Sequence, residues 1–470
     1  MSYVFFDTET TGLEHGFDQI IHFAAVRTDN DLNELERLEV RSRLLPHVVP
    51  HPVAIRTNGV PIARLLDQQL PSHYDMIFGI RELLLKWSPA IFIGYNSIRF
   101  DEEMLRHSFF QCLLPAYLTS LHGNCRADAL GLAMAAASAN PPCLVVPMGP
   151  EARPTFKLEL LAAANEIGLH QAHNALSDVN ATVELCRRIR RLAPELWQRF
   201  VRFSKKASVA DFVEQEDGFV LTEFFRNQSY HSPVVYIGKH PDQATVRFCL
   251  ELKSEPTRWV ALSDEELDVE LAQTPCPIRR IRTNSGPTLT ALFEASEEQL
   301  CGLSIEQIEE RARLVKANAE LCTRLVSRFL ARDAGLPPRQ KVEERLYEAF
   351  PSQADEQRIV QFHKVSWAER VDIVESLEDE RLKVFGRRLI YIEHRSVLSD
   401  ALQRLVERDL TDRLVDEART SLTLAQALAE TDALLTEGAA DAENLLSDYR
   451  VHVLERIDRV SEFRARREMV

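Results

Sequence analysis

The chain has 470 residues, 45% of them hydrophobic and 27% charged, with 56 Lys/Arg against 71 Asp/Glu and a formal net charge of −15. That length predicts two or three domains, and the composition is that of an ordinary soluble globular protein. No stretch approaches 18 consecutive apolar residues, which excludes a membrane-spanning helix of the usual kind.

Residues 3–7 read as a continuous apolar strand that ends in an acid, the pattern of a central strand delivering a side chain at its carboxyl end. His22 to Arg27 reads as the next strand and Leu38 to Leu45 as a third, followed by an amphipathic helix over 75–87. Ala90 to Tyr95 is another apolar strand, after which FDEEMLRHSFFQ turns helical; residues 156–167 and 174–193 carry helical spacing of Leu, Ala, Val and Ile. Strands alternating with helices predict an α/β domain over residues 1–194. From about residue 207 the texture changes. VVYIGKH, ATVRFCLEL and RWVALS are short β-type runs between turns, and 275–291 reads as a further strand pair. Helices follow over 296–333, giving a β-rich domain with helices over 195–338. Leu336-Pro337-Pro338 is a natural linker, and 339–470 reads as a helical domain.

The eight cysteines are scattered with no CxxC pair, as expected of free thiols in a reducing cytoplasm. The N-terminus lacks a basic region ahead of an apolar core, so no signal peptide is expected. Net charge governs solubility, whereas nucleic-acid binding depends on local patches. Arg187, Arg188, Arg190, Arg191, Arg199, Arg202, Lys205 and Lys206 form one basic cluster, and Arg279, Arg280 and Arg282 a second. Each reads as a solvated face, and the first reads equally as a DNA track.

Four acids and one histidine carry the chemistry. Asp7 and Glu9, one residue apart on a strand, project to the same face. Such a carboxylate pair attracts Mg²⁺ or Mn²⁺; a lone pair of this kind would more often just cap the following loop. Asp101 opens a helix after the Gly94-Tyr95-Asn96 turn, with Glu102 and Glu103 competing for the same part. His173 and Asp178 lie five residues apart at the start of a helix, with His170 as an alternative outside that spacing. A histidine's intrinsic pKa near ~6.5 suits a general base at neutral pH.

Together these residues resemble the DEDD superfamily of 3′→5′ exonucleases, in the subgroup with histidine in an HxAxxD motif. The resemblance implies a ribonuclease H-like fold and two metal ions, with Asp7, Glu9, Asp101 and Asp178 as metal ligands and His173 as general base. FAAVRTD, GYNSIRFDEEM, NCRAD, PTFKLELLAAANEIGL, HNALSDVNAT and PIRRIRTNSGPTL resemble, more narrowly, the bacterial exodeoxyribonuclease I family. That family implies an exonuclease domain, an SH3-like domain and an all-α C-terminal domain. It also implies a Mg²⁺-dependent enzyme of DNA repair and recombination, cytoplasmic and monomeric, degrading single-stranded DNA to 5′-mononucleotides. Docking to the acidic tail of a single-stranded-DNA-binding protein is a further implication. Lys157 would contact substrate phosphate where arginine is usual, Arg106 would be a second DNA contact, and Glu9, Thr8, Thr10 and Thr11 would flank the terminal nucleotide. DTETTG is closer to the general proofreading type, and CLLPAYLTSL at 112–121 holds fewer aromatics for base stacking than the family leads one to expect. A proofreading or RNA-trimming exonuclease, and a non-catalytic nucleic-acid-binding protein, are the alternatives.

Overall fold

The structure, a computed structural model, describes residues 2–149, 153–168, 173–332, 341–416, 422–437 and 444–468. The linker 336–338 and His170 lie outside these residues. A first sheet is built from β1 (Ser2–Thr10), β2 (Ile20–Thr28), β3 (Glu34–Arg41), β4 (Ala90–Gly94) and β5 (Cys125–Asp128), in the order β3-β2-β1-β4-β5. β2 runs antiparallel to β1 and β3, whereas β4 is parallel to β1 and β5. The third strand therefore starts four residues earlier than its apolar pattern predicts and stops at Arg41, because Glu34, Glu36 and Arg37 pair along β2 despite their polarity.

The central strand β1 is apolar on both sides because both faces of the sheet are covered. Val4 and Phe6 point to one core with Phe23, Phe92 and helices His73–Trp87 and Asp101–Gln111. Tyr3 and Phe5 point to the other, with Ile91, Ile93 and helices Ala129–Ala139 and Ala175–Leu192. The first core runs on without a break into the C-terminal helices: Phe362, Val374, Phe385 and Ile390 belong to it.

The second sheet comprises β6 (Phe219–Phe225), β7 (Gln228–Lys239), β8 (Val246–Glu251), β9 (Ile278–Arg282) and β10 (Thr288–Ala291), in the order β10-β6-β7-β8-β9 and antiparallel throughout. Two expectations are corrected here. RWVALS is not a strand: residues Pro256–Ala261 form a helix with Pro at its first turn, where the missing N–H costs nothing, and Trp259 is buried. Strands β9 and β10 are not a pair either, since they occupy opposite edges of the sheet. Helices Ile305–Lys316 and Ala319–Arg332 cover one face through Ile308, Ala312, Val315, Leu321 and Leu325.

Helix Leu445–Glu468 returns to the first domain. Its Tyr449 hydroxyl donates to the Pro50 carbonyl, and Arg456 donates to the carbonyls of Val48 (2.8 Å) and Pro46 (2.6 Å). Ile21, Val49, Ile55, Ile62 and Leu65 pack with Tyr449 and Val453 in a core of their own. Among the described residues no helix is long and apolar enough to cross a membrane.

Candidate metal centre

Alternation along β1 puts Asp7 and Glu9 on the side of Tyr3 and Phe5, facing helix Ala175–Leu192. Asn174 caps that helix, its side chain accepting from the Ser177 amide, and sets Asp178 in the first turn. Carboxylate oxygens of Asp7, Glu9 and Asp178 consequently lie within 4.8 Å of one another.

Asp101 stands beside them. β4 stops at Gly94, so the amide of Thr8 has no strand partner on that side; Asp101 Oδ1 accepts it at 3.0 Å and also accepts the Thr8 hydroxyl at 2.6 Å. Three of the four expected acids thus converge directly, and the fourth is held at the edge of the group by Thr8.

Burial pushes all four carboxyls up, and repulsion from the other acids adds to it at Asp7 and Glu9. Asp7 is raised well above the usual carboxylate range by burial and then by Asp101, Glu9 and Asp178. Glu9 is pushed to about 8, chiefly by burial and then by Asp178 and Asp101, and Arg41 offsets only part of this. Burial lifts Asp101 and Asp178 to about 7 each. An all-oxygen set of crowded carboxylates suits hard divalent cations such as Mg²⁺ or Mn²⁺, whose charge would relieve that repulsion. The residues fit the metal that the sequence implies.

A stability consequence follows by linkage. The folded state holds these protons more tightly than the unfolded chain, so stability falls as pH rises from about 4 towards about 8. Metal-free protein is expected to melt lower at pH 8 than at pH 6. Added Mg²⁺ should raise the melting temperature more at pH 8, and an equal gain at both values would contradict this reading.

His173 has φ +58°, in the left-handed region that histidine visits more readily than most residues. Its backbone hydrogen bond to Asp178 favours the ionised carboxylate. Its half-exposed imidazole Nε2 lies 3.4 Å from Glu159 Oε2, a partner that sequence reasoning missed. The signal was present two residues beyond Lys157 in PTFKLELL. Lys157 itself is exposed at the start of helix Leu158–Ala164.

The side chains of four expected substrate contacts have partners within the fold. The hydroxyls of Thr8, Thr10 and Thr11 are buried and engaged within the fold: Thr8 with Asp101, Thr10 with the Gly12 carbonyl (2.7 Å), and Thr11 with Asp18 Oδ1 (2.7 Å). Arg106 is 7% exposed and locked between Glu103 (3.1 Å), Ser120 Oγ (3.1 Å) and the Tyr347 hydroxyl (3.2 Å), with its guanidinium over the Tyr117 ring. Its donors face protein groups, since Glu102 and Glu103 need a counter-charge on the same helix. The first basic cluster is likewise largely an anchor: Arg187 donates to the Leu32 carbonyl, Arg188 to that of Cys143, and Arg190 and Arg199 pair with Asp31 and Glu294.

A cavity of about 830 Å³ opens between helix Ala129–Ala139 and the second sheet, with Arg99, Arg199, Arg226, Arg280 and Arg282 in its lining. The TNSGPT segment forms part of this wall. The Asn284 carbonyl accepts from Arg126 at 2.8 Å, and Gly286 takes φ +59° beside Ala127. Asp128 fixes the opposite rim by accepting the amides of Asn96 (2.8 Å) and Ile98 (3.2 Å).

Comparison with known proteins agrees with this geometry. The family model described as Exonuclease matches residues 4–186. Exodeoxyribonuclease I of Escherichia coli K12 is 24% identical over 374 residues, covering 75% of this chain and 77% of the relative. That of Haemophilus influenzae is 24% identical over 405 residues, covering 82% of each. Among solved structures, an Exonuclease I from Methylocaldum szegediense superposes with a TM-score of 0.84 at 22% identity, over 97% of this chain and 99% of the other. E. coli Exonuclease I in complex with a dA16 oligonucleotide gives 0.84 at 20% identity, over 98% and 99%. In its exonuclease segment, its matches along most of its length and its carboxylate cluster, the chain is similar to the bacterial exodeoxyribonucleases I.

Proposed function

We propose that the chain hydrolyses single-stranded DNA from the 3′ end, releasing 5′-mononucleotides in DNA repair and recombination. The convergence of Asp7, Glu9 and Asp178 within 4.8 Å, in a domain of exonuclease type, carries this reading. Mg²⁺ ions held by these carboxylates and by Asp101, with Mn²⁺ as a substitute, would supply electrostatic stabilisation of the phosphodiester as charge develops on it. The protein's part is to orient. Thr8 fixes Asp101, the cap at Asn174 fixes Asp178, and β1 presents Asp7 and Glu9 side by side. His173 takes the proton from the attacking water, and Glu159 positions the imidazole as it does so. Glu9 and Lys157 meet the terminal nucleotide and its phosphate.

The arginine-lined cavity supports passage of a polyanionic strand towards the acids. We divide the chain into an exonuclease domain at 1–194, an SH3-like domain with helices at 195–338 and an all-α domain at 339–470. It works as a cytoplasmic monomer. A structure of SSB/Exonuclease I in complex with an inhibitor is among the fold's neighbours, and supports docking of the acidic tail of a single-stranded-DNA-binding protein.

Digestion of a 5′-labelled single strand with Mg²⁺, beside duplex DNA, RNA and an EDTA control, tests the reading. A ladder shortening from the 3′ end on single-stranded DNA alone is expected. Cleavage of RNA alone, or of nothing, would overturn it. His173→Ala is expected to lower turnover by roughly 10²–10⁴-fold, the usual share of a general base. Glu159→Gln should lower it less, since the imidazole stays. A His173→Ala enzyme with unchanged single-turnover rates would remove that role.

A further inference from the structure

Six rings touch in sequence from the start of helix Asp101–Gln111 to the surface. Phe100, the residue before Asp101, contacts His15 (5.7 Å between centroids), and His15 contacts His107 (6.1 Å). His107 meets Tyr347 (6.3 Å), Tyr347 meets Tyr117 (6.3 Å), and Tyr117 meets Phe350 (5.4 Å). His107 is buried and Phe100 and His15 are half-buried, whereas Tyr347 is 51% exposed and Phe350 75% exposed. We propose that Phe350, Tyr347 and Tyr117 form a base-stacking platform for single-stranded DNA, at the outer end of this ring ladder.

Three observations favour unpaired bases as the occupant. Helix Asp101–Gln111 carries both Asp101 and the residues that hold the outer rings, Glu103 and Arg106, so the platform stands on the element that presents one of the acids. The platform is held rigid: the Tyr347 hydroxyl is tied to Glu103 and Arg106, and the Arg106 guanidinium lies 5.3 Å from the centre of the Tyr117 ring. Rigid aromatic faces backed by a cation are what sequence-independent strand binding uses, because every base has a π-face. Lastly, Phe350 is a large apolar side chain left three-quarters in water next to two other rings, in a position with little packing role. Segment 112–121 is poor in aromatics on its own, and two rings from residues 347 and 350 complete what Tyr117 begins.

The proposal rests on the single-strand reading above, so its test separates the two. Binding of fluorescein-labelled dT20 is measured by anisotropy in EDTA, and hydrolysis of the same oligomer by the wild type is measured with Mg²⁺. Phe350→Ala is expected to weaken dT20 binding about 5- to 100-fold, the share of one stacked base. Phe350→Trp should restore it, and Phe293→Ala, an equally exposed ring elsewhere, should leave it unchanged. On a strand of abasic residues the wild type and Phe350→Ala should bind alike. Unchanged dT20 binding in Phe350→Ala, or an equal loss on the abasic strand, overturns the platform while leaving hydrolysis to stand. Loss of dT20 binding in a protein that does not hydrolyse the oligomer keeps the platform and removes the nuclease.

Discussion

Asp7→Asn is expected to cut hydrolysis of single-stranded DNA by at least about 10³-fold, while the metal-free protein melts higher at pH 8 than the wild type. The two effects have one cause. Asp7 feels all three of the other acids, with Asp101, Glu9 and Asp178 each raising its pKa after burial has done so. An amide of the same shape removes a negative charge from that crowd, which relieves repulsion in the absence of metal and weakens the hold on a cation. Electrostatic stabilisation by a bound ion is worth several kcal/mol of barrier, and each ~1.4 kcal/mol is tenfold in rate. Steady-state rates with a 5′-labelled oligomer and calorimetry in EDTA measure both. A variant that is inactive and also melts lower would mean that Asp7 holds the fold together, and one that stays active would remove the carboxylate site from the chemistry.

Glu343→Ala is expected to cost about 3–5 kcal/mol, because it removes the buried carboxylate shared by two buried arginines. Glu343 is 3% exposed and accepts from Arg388 at 3.0 Å and from Arg413 at 2.7 Å, both of which are buried. Burial opposes its ionisation, yet Arg413 and Arg388 more than offset that and hold its pKa below the usual range. Without the carboxylate, both guanidiniums lose their shared buried partner, and Arg388 retains Asp409 at 2.9 Å. The same joint touches the first domain: a Cβ on Gly16 would lie 2.8 Å from the Glu343 carbonyl oxygen, so the loop after β1 is pressed against this segment. Denaturant titration followed by fluorescence reads the loss, and a change below about 1 kcal/mol would show the pair to be dispensable. Because the carboxyl's folded pKa is depressed, the contribution holds above pH ~4.5 and fades as pH falls below it.

Both examples separate what a sequence shows from what it hides. β1 was legible as a short apolar run and helix Ala175–Leu192 by its period of 3.6, both local signals, and the pairing of Asp7 with Glu9 follows from the strand's alternation. Asp101 was legible as a helix-opening acid, but the Thr8 hydrogen bonds that hold it span 93 residues. Arg106 looked free because its distant partner, Tyr347, lies 241 residues away. RWVALS misled because six residues of mixed polarity fit a strand or a helical turn equally, and only Pro256 tips the balance. The separation of β9 from β10 depends on which strands are already paired, β8 with β9 and β6 with β10. Texture likewise predicted a helical third standing apart, whereas Phe362 and Phe385 share a core with Phe6 and Phe92.

The clasp between helix Leu445–Glu468 and residues 46–65 has a consequence for how the protein is made. About 380 residues separate the two, and at roughly 5–20 residues per second the ribosome needs about 20–80 s to span them. For that interval the nascent first domain carries Ile21, Val49, Ile55, Ile62 and Leu65 with their eventual cover still unsynthesised. These side chains form a patch that chaperones or neighbouring nascent chains can reach. The catalytic half of the molecule is therefore translated early and sealed late.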